Sequence, residues 1–346
     1  MTGLLRTAVK IAEPGEILAA VPHLLGFTPD NSLVLITLRS APHMMCLGIT
    51  LRIDLPHPGQ EDDLAAHMLH GPMQSQPPDA VILAIVGGDP PVSVDESPPY
   101  RELIDALRKV LRAARIPVPL ALWTPMIALG KPWACYDSNS RGELPDPKIS
   151  PVGTVTAAAG SVTFDNRQQV EDLVAPEPAD RIARRAARLD ILSEEREQQG
   201  DSAKRDLELV LGAIRRTAEG SALTEDDYLR VLLAVSDERV RDLALGMTTG
   251  ETAHAAEQLW LALVRKAPAP EVADVAALLA FSAYLRGDGP LAGIALERAE
   301  QTRPEHSLTR LLRQALDIGL PTEKLVVVAN DAAEDAKTLI EEDGAW

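Results

Sequence analysis

Cysteine is nearly absent: Cys46 and Cys135 are the only two in 346 residues. They lie far apart and lack CxxC spacing, which leaves no basis for a disulfide framework or a thiolate zinc site and points to a reducing cytoplasm. Positive charge is also in short supply, with 34 Lys and Arg against 51 Asp and Glu and a net charge of −17. A nucleic-acid duplex is therefore a poor partner, because binding it depends on neutralising phosphates. No apolar run approaches the roughly 18 to 20 residues that span a bilayer. The opening MTGLLRTAVKIAEPGE has too few consecutive apolar residues for a signal peptide. The dinucleotide-binding glycine pattern, the P-loop and the GxSxG elbow are missing too, so no reaction is signed, no catalytic residue is assigned and no cofactor is implied.

What is present is an ordinary globular composition, 46% hydrophobic and 25% charged. The length suits about two domains of roughly 150 residues each. After Pro14, EILAAVPHLLGF has helical spacing until Pro22 and Gly26 interrupt it. Residues 32–38 and 44–55 are rich in branched side chains and read as neighbouring strands. An acid-led helix over 61–70 follows, then the continuous apolar run 79–88 of a strand buried on both faces. Residues 100–116 form an amphipathic helix with Leu103, Leu107, Val110 and Leu111 on one face and Arg101, Arg108 and Arg112 on another. The run 117–129 reads as a strand that Pro117, Pro119 and Pro125 make an edge strand or only partly extended.

From Asp165 the β signal fades. Residues 166–206 read as a helical and charged linker, and 207–320 hold six amphipathic segments separated by short breaks. Residues 321–346 form an acidic tail, which from Asn330 on, with six acids against a single Lys337, is expected to be mobile. The fold class is thus an α/β N-terminal domain over 12–165, helices packed on a small mixed sheet, followed by an all-α helical-hairpin domain. In one pair, Tyr284, Gly287, Ala292, Leu296, Ala299 and Pro304 fall where a tetratricopeptide repeat has its aromatic, turn glycine, small residues and closing proline. Ala277, Ala280 and Phe281 replace that repeat's earlier signature, so the domain is tetratricopeptide-like in part.

PHLLGFTPDNSLVLI at 22–36, RIDLP at 52–56, PWACYD at 132–137, ELPDP at 143–147 and LLAFSAYLRGDGPLAGIALERA at 278–299 together resemble an actinobacterial family of uncharacterised proteins, domain of unknown function family 4192. The resemblance runs from about residue 14 to 320. It implies a cytoplasmic protein and supplies no catalytic residues. Many members resemble one another in a Cys pair after the Trp-containing segment; here Cys135 stands alone, and no metal site carries over.

In open α/β sheets ligands sit beyond the carboxyl ends of strands. Arg52 and Asp54 close one strand on a common face, Asp89 follows Gly87 and Gly88 at the end of another, and Trp133, Tyr136 and Asp137 come from the loop after the last. Together they make a candidate site for a small anionic ligand such as a nucleotide or sugar phosphate, with Trp133 stacking on a ring and Arg52 on the anion. The plainer alternative is a structural Arg52–Asp54 ion pair and Trp133 as a core plug. Gly87–Gly88 reads as a strand-ending turn and Cys135 as a buried structural thiol. Asp63, His67 and His70 share a helix face at metal-ligand spacing, yet such a face is more often simply solvated. Arg181, Arg184, Arg185 and Arg188 form a basic stripe, explained either by local acids or by docking of the acidic tail or an acidic partner. The expected function is an interaction or regulatory module, with a small anionic-ligand pocket in the α/β domain and a protein-binding helical domain. The alternative is a hydrolase or transferase acting on a nucleotide or phosphorylated metabolite.

Overall fold

The computed structural model describes residues 13–41, 44–70, 77–89, 97–158, 161–199 and 202–343. The chain divides into two compact units, Met1–Gln169 and Val170–Trp346.

In the first unit, α1 (Pro14–Leu25) starts with proline in its first turn and a reciprocal Glu13–Glu16 capping box, and Gly26 ends it at φ +78°. The helix runs through Pro22 where an interruption was expected. A proline removes one rung of the ladder, and burial of Leu18, Val21 and Leu25 around it offsets that loss. Strands β1 (Ser32–Ala41), β2 (Met44–Asp54), β3 (Ala80–Val86), β4 (Leu120–Thr124), β5 (Pro132–Cys135) and β6 (Arg141–Glu143) form one mixed sheet in the order β2-β1-β3-β4-β5-β6. Only β3 and β4 are parallel, joined across α3 (Arg101–Ala113); every other neighbour is antiparallel. All seven residues of β3 are buried.

One sheet face carries Leu33, Leu35, Leu83, Ile85, Trp123, Ala134 and Tyr136. It shares a continuous core with Met68 of α2 (Glu61–His70) and with Leu103, Ile104, Leu107 and Leu111 of α3. Side chains of opposite parity, including Val34, Ile36, Ala84, Val86 and Leu122, are buried on the other face, where α1 lies. Of the two expectations for 117–129, an edge strand is corrected and partial extension holds: only Leu120–Thr124 is strand, and it lies inside the sheet. Pro117, Pro119 and Pro125 flank β4 without entering it, which leaves its ladder intact between β3 and β5.

The second unit is helical: α5 (Arg167–Val174, which begins in the first unit), α6 (Ala179–Gln199), α7 (Ala203–Ala218), α8 (Glu225–Val235), α9 (Glu238–Met247), α10 (Ala253–Lys266), α11 (Val272–Arg286), α12 (Gly289–Thr302), α13 (Ser307–Asp317) and α14 (Thr322–Asp343). The segment 224–245 is two helices, because Asp237 caps a new one by accepting from Arg239 N–H at 2.9 Å. α11 is buried along nearly its whole length, as expected of a helix that is apolar all round, and packs on α10, α12 and α13. Within the α11–α12 pair, Ala292, Ala295 and Ala299 are buried and allow close approach. Within the acidic tail, residues through 343 are helical and packed. α14 packs on α9 with Leu325, Ala329, Ala336 and Ile340 inward, because apolar residues recur on one face between the acids.

Candidate functional site

The carboxyl ends of the parallel pair, at Val86 and Thr124, mark the sheet end where a ligand is expected. Arg52, Asp54, Asp89 and Trp133 lie toward that end. Tyr136 and Asp137 lie at the other, because β5 runs antiparallel to β4 and the Tyr136 N–H donates to the Ala121 carbonyl at 3.0 Å. The faces differ as well: Tyr136 joins the core beneath α2 and α3, whereas Trp133 points toward α1. The six expected residues therefore do not converge on one pocket.

Each has a local explanation. Arg52 donates to Ser32 Oγ at 2.7 Å and pairs with Asp54 at 2.6 Å. Trp133 is 8% exposed and wedged between two glycines: a Cβ on Gly15 or Gly142 would stand 2.8 or 2.9 Å from its Nε1. Its large side chain needs the missing methyls. The Tyr136 hydroxyl donates to the Pro99 carbonyl at 2.5 Å, and the Arg101 guanidinium lies 5.3 Å from its ring centre. Burial pushes this phenol far above its ordinary pKa, so it stays protonated. Gly87 and Gly88 have φ +131° and +78° and form a tight turn beside Asn31 and Tyr100, with Gly87 O accepting from Trp123 Nε1 at 2.8 Å. Exposed Asp89 follows, and residues 90–96 lie outside those described. Cys135 is buried.

The basic stripe of α6 is consumed locally. Arg185 pairs with Glu177 at 2.8 Å and Glu225 at 2.6 Å, Arg188 with Asp226 at 2.5 Å, Arg184 with Asp180 at 2.9 Å and Arg181 with Glu177 at 3.4 Å. Its carboxylates come from 177–180, from Glu195 of α6 itself and from α8, and among the described residues none comes from the tail; helix packing closes the 40-residue separation of Arg185 and Glu225. The His70 side chain lies outside the described residues, and among the described residues no three His, Cys, Asp or Glu gather as metal ligands.

Asp137 leads to a different place. It pairs with Arg108 at the rim of two adjoining surface clefts of about 500 and 610 Å³. Both clefts are lined by Arg108 and Arg112; Lys109 and Asp105 belong to one, Arg115 and the apolar Ile116–Pro117–Val118 to the other. Arg108 and Arg112 stand one helical turn apart, and Arg115, just past the helix end, lines the same cleft. Among the described residues no carboxylate pairs with Lys109, Arg112 or Arg115. Arg115 stands at φ +62°, just past the helix, where the Ile116 N–H closes back on the Leu111 carbonyl at 2.8 Å. That is the position glycine normally takes, and a residue with a Cβ pays roughly 1–2 kcal/mol there. Cations also suit a helix C-terminus, by about 0.3–1 kcal/mol each, which accounts for Arg112 but not for a strained Arg115. Sequence reasoning placed Arg108 and Arg112 on the polar face of this helix without making them a site; their spacing was the available signal.

The chain belongs to the family described as Domain of unknown function (DUF4192), whose model matches residues 14–323, nearly its whole length. No curated protein and no solved structure matches. None of the described helices is long and apolar enough to cross a membrane.

Proposed function

We propose that this protein is a cytoplasmic interaction or regulatory module whose α/β unit takes a small phosphorylated ligand at the Arg108–Arg112–Arg115 cleft and whose helical unit binds a protein partner. The observation behind the ligand half is the cation cluster itself: Lys109, Arg112 and Arg115 face open clefts without a carboxylate partner among the described residues. This happens in a unit that is itself acidic, with 13 Lys and Arg against 17 Asp and Glu over residues 1–169. Guanidinium forks match phosphate oxygens, and Ile116, Pro117 and Val118 offer an apolar wall for a base or sugar ring. Asp137, expected as a ligand contact, serves this reading by orienting Arg108; Arg52, Asp54, Asp89, Trp133 and Tyr136 do not enter it. For the helical unit, support comes from Val327, Val328 and Leu339, which α14 leaves exposed.

Among the residues lining the clefts there is no hydroxyl, thiol or imidazole, so a binding role is favoured over hydrolase or transferase chemistry. The test is thermal unfolding of the full chain with nucleoside di- and triphosphates and sugar phosphates at low ionic strength. A ligand at about 100 times its Kd adds roughly 2.7 kcal/mol, a rise of about 5 °C for a unit of this size. The rise should fall with salt and vanish in Arg112→Ala and Arg115→Ala but persist in Lys148→Ala. No shift with any phosphate, or one that both arginine variants keep, sinks the ligand half; turnover of the bound phosphate would install the enzyme reading instead.

A further inference from the structure

The two edges of the sheet are built differently. β6 is a three-residue strand, Arg-Gly-Glu, short and charged in the way natural proteins protect an edge from further pairing. β2 is eleven residues long, and its first eight, Met44–Leu51, include no charge and no proline. Among the described residues it pairs with β1 alone, so its outer row of N–H and C=O groups has no strand partner. The side chains add to this. A bulge in the β1–β2 ladder shifts the register by one, so Met45 and Leu47, opposite Ser40 and Leu38, lie on the other face from Leu51 and Ile53 of the core, and Met45, Leu47 and Ile49 are 49, 42 and 37% exposed. Uncharged apolar side chains thus stand in solvent along an edge that the bulge bends but no charge guards.

We infer that β2 pairs antiparallel with β2 of a second copy of this chain. An uncharged segment is self-complementary, since a twofold axis brings no like charges together over Met44–Leu51, whereas Arg52 and Asp54 beyond it already pair internally. The assembly also closes: each chain spends its one open edge, β6 blocks the other, and growth stops at two. With the axis at Leu47, the middle of the three exposed residues, Met45 opposes Ile49 of the partner. The exposed side chains of the two copies then meet across a continuous twelve-stranded sheet made from two six-stranded ones. In this register exposed Cys46 lies diagonal to its own copy, roughly 7–8 Å away.

The test uses the full chain and two independent readouts. Light scattering during size exclusion should give the mass of two 37.2 kDa chains for the wild type and of one for Leu47→Lys, whose charge lands on the pairing edge at a position exposed enough to leave the fold intact. A short bis-maleimide should cross-link the wild type through Cys46, lose the product in Cys46→Ser, and ignore buried Cys135. If Leu47→Lys does not fold, the wild-type mass and the Cys46 cross-link decide alone. A 37.2 kDa mass at every concentration, or a dimer that Leu47→Lys retains and Cys46 does not cross-link, overturns the inference.

Discussion

The two units handle charge in opposite ways. Residues 170–346 hold 21 Lys and Arg against 34 Asp and Glu, a net −13, whereas residues 1–169 are only at −4. In the helical unit the excess acid is used internally, clamping arginines and lysines between helices. Asp274, buried on α11, accepts from Arg241 at 3.3 Å, Arg303 at 3.2 Å and His306 Nε2 at 2.9 Å. Glu177 holds Arg185 and Lys266 in the same manner. The α/β unit instead has an apolar core and leaves cations unpaired around one cleft. Buried pairs fix the geometry of a scaffold; unpaired cations are available to a ligand.

Removing Asp274 breaks this comparison hardest. Asp274→Ala would leave Arg241, 5% exposed, with only its longer pairs to Glu238 at 3.6 Å and Asp242 at 3.5 Å, and loss of one partner of a buried pair typically costs about 3–5 kcal/mol. His306 would lose a partner too, although its Nδ1 still accepts the Thr309 N–H as the cap of α13. Urea unfolding followed by circular dichroism should show the helical unit melting early while anion binding by the α/β unit survives. An unchanged midpoint would mean that the network contributes no net stability.

Acid should separate the units next. Burial pushes the Glu177 carboxyl up, but hydrogen bonds from Arg185 and Lys266 outweigh it and bring the pKa down to about 2; Asp274 is likewise held low by His306, Arg241 and Arg303 against its burial. Because the folded pKa of Glu177 lies below its unfolded value of 4.5, its contribution is complete above pH 4.5 and disappears as pH falls toward 2. The loss from Glu177 is at most about 3 kcal/mol. Thermal midpoints measured from pH 6 to pH 2 should drop steeply for the wild type and less for Glu177→Gln, which has already lost the charge. Parallel curves would remove Glu177 as the cause.

How much of this was legible follows from the same contrast. Long helices and the buried strands announced themselves through periodicity, and the helix carrying Arg108 and Arg112 was read with its faces correctly assigned. β5 and β6, four and three residues long, are too short to show a period. The expected residues do not converge because of parity: Trp133 and Tyr136 are three positions apart on and just beyond one strand, and an odd separation sends them to opposite faces. Nor does composition reveal pairing. The stripe of α6 and the cluster at the end of α3 are both rich in arginine, and among the described residues packing brings Glu177, Glu225 and Asp226 onto the first and no carboxylate onto Arg112 and Arg115.

Arg115→Gly sharpens the comparison because stability and binding should move in opposite directions. Glycine relieves the φ of +62°, with a net gain of about 1 kcal/mol or less after its greater unfolded-state entropy. Loss of a charge-assisted contact to phosphate should weaken affinity about 10-fold or more. A variant that melts higher and binds as before would make Arg115 an accident of the helix end.

The smallest effect is expected at the residues first picked out by their place at a strand end. Asp54 is exposed and its pair with Arg52 is open to solvent on one side, so Asp54→Asn should change stability by no more than about 1 kcal/mol. Arg52 keeps its hydrogen bond to Ser32 Oγ in the variant and stays in place. Phosphate affinity measured by calorimetry should match the wild type, because β2 ends at the opposite end of the sheet from Asp137 and the cleft that it borders. If Asp54→Asn alters affinity while Arg112→Ala does not, the ligand sits beyond the carboxyl ends of the strands after all, and the basic cleft is a surface like any other.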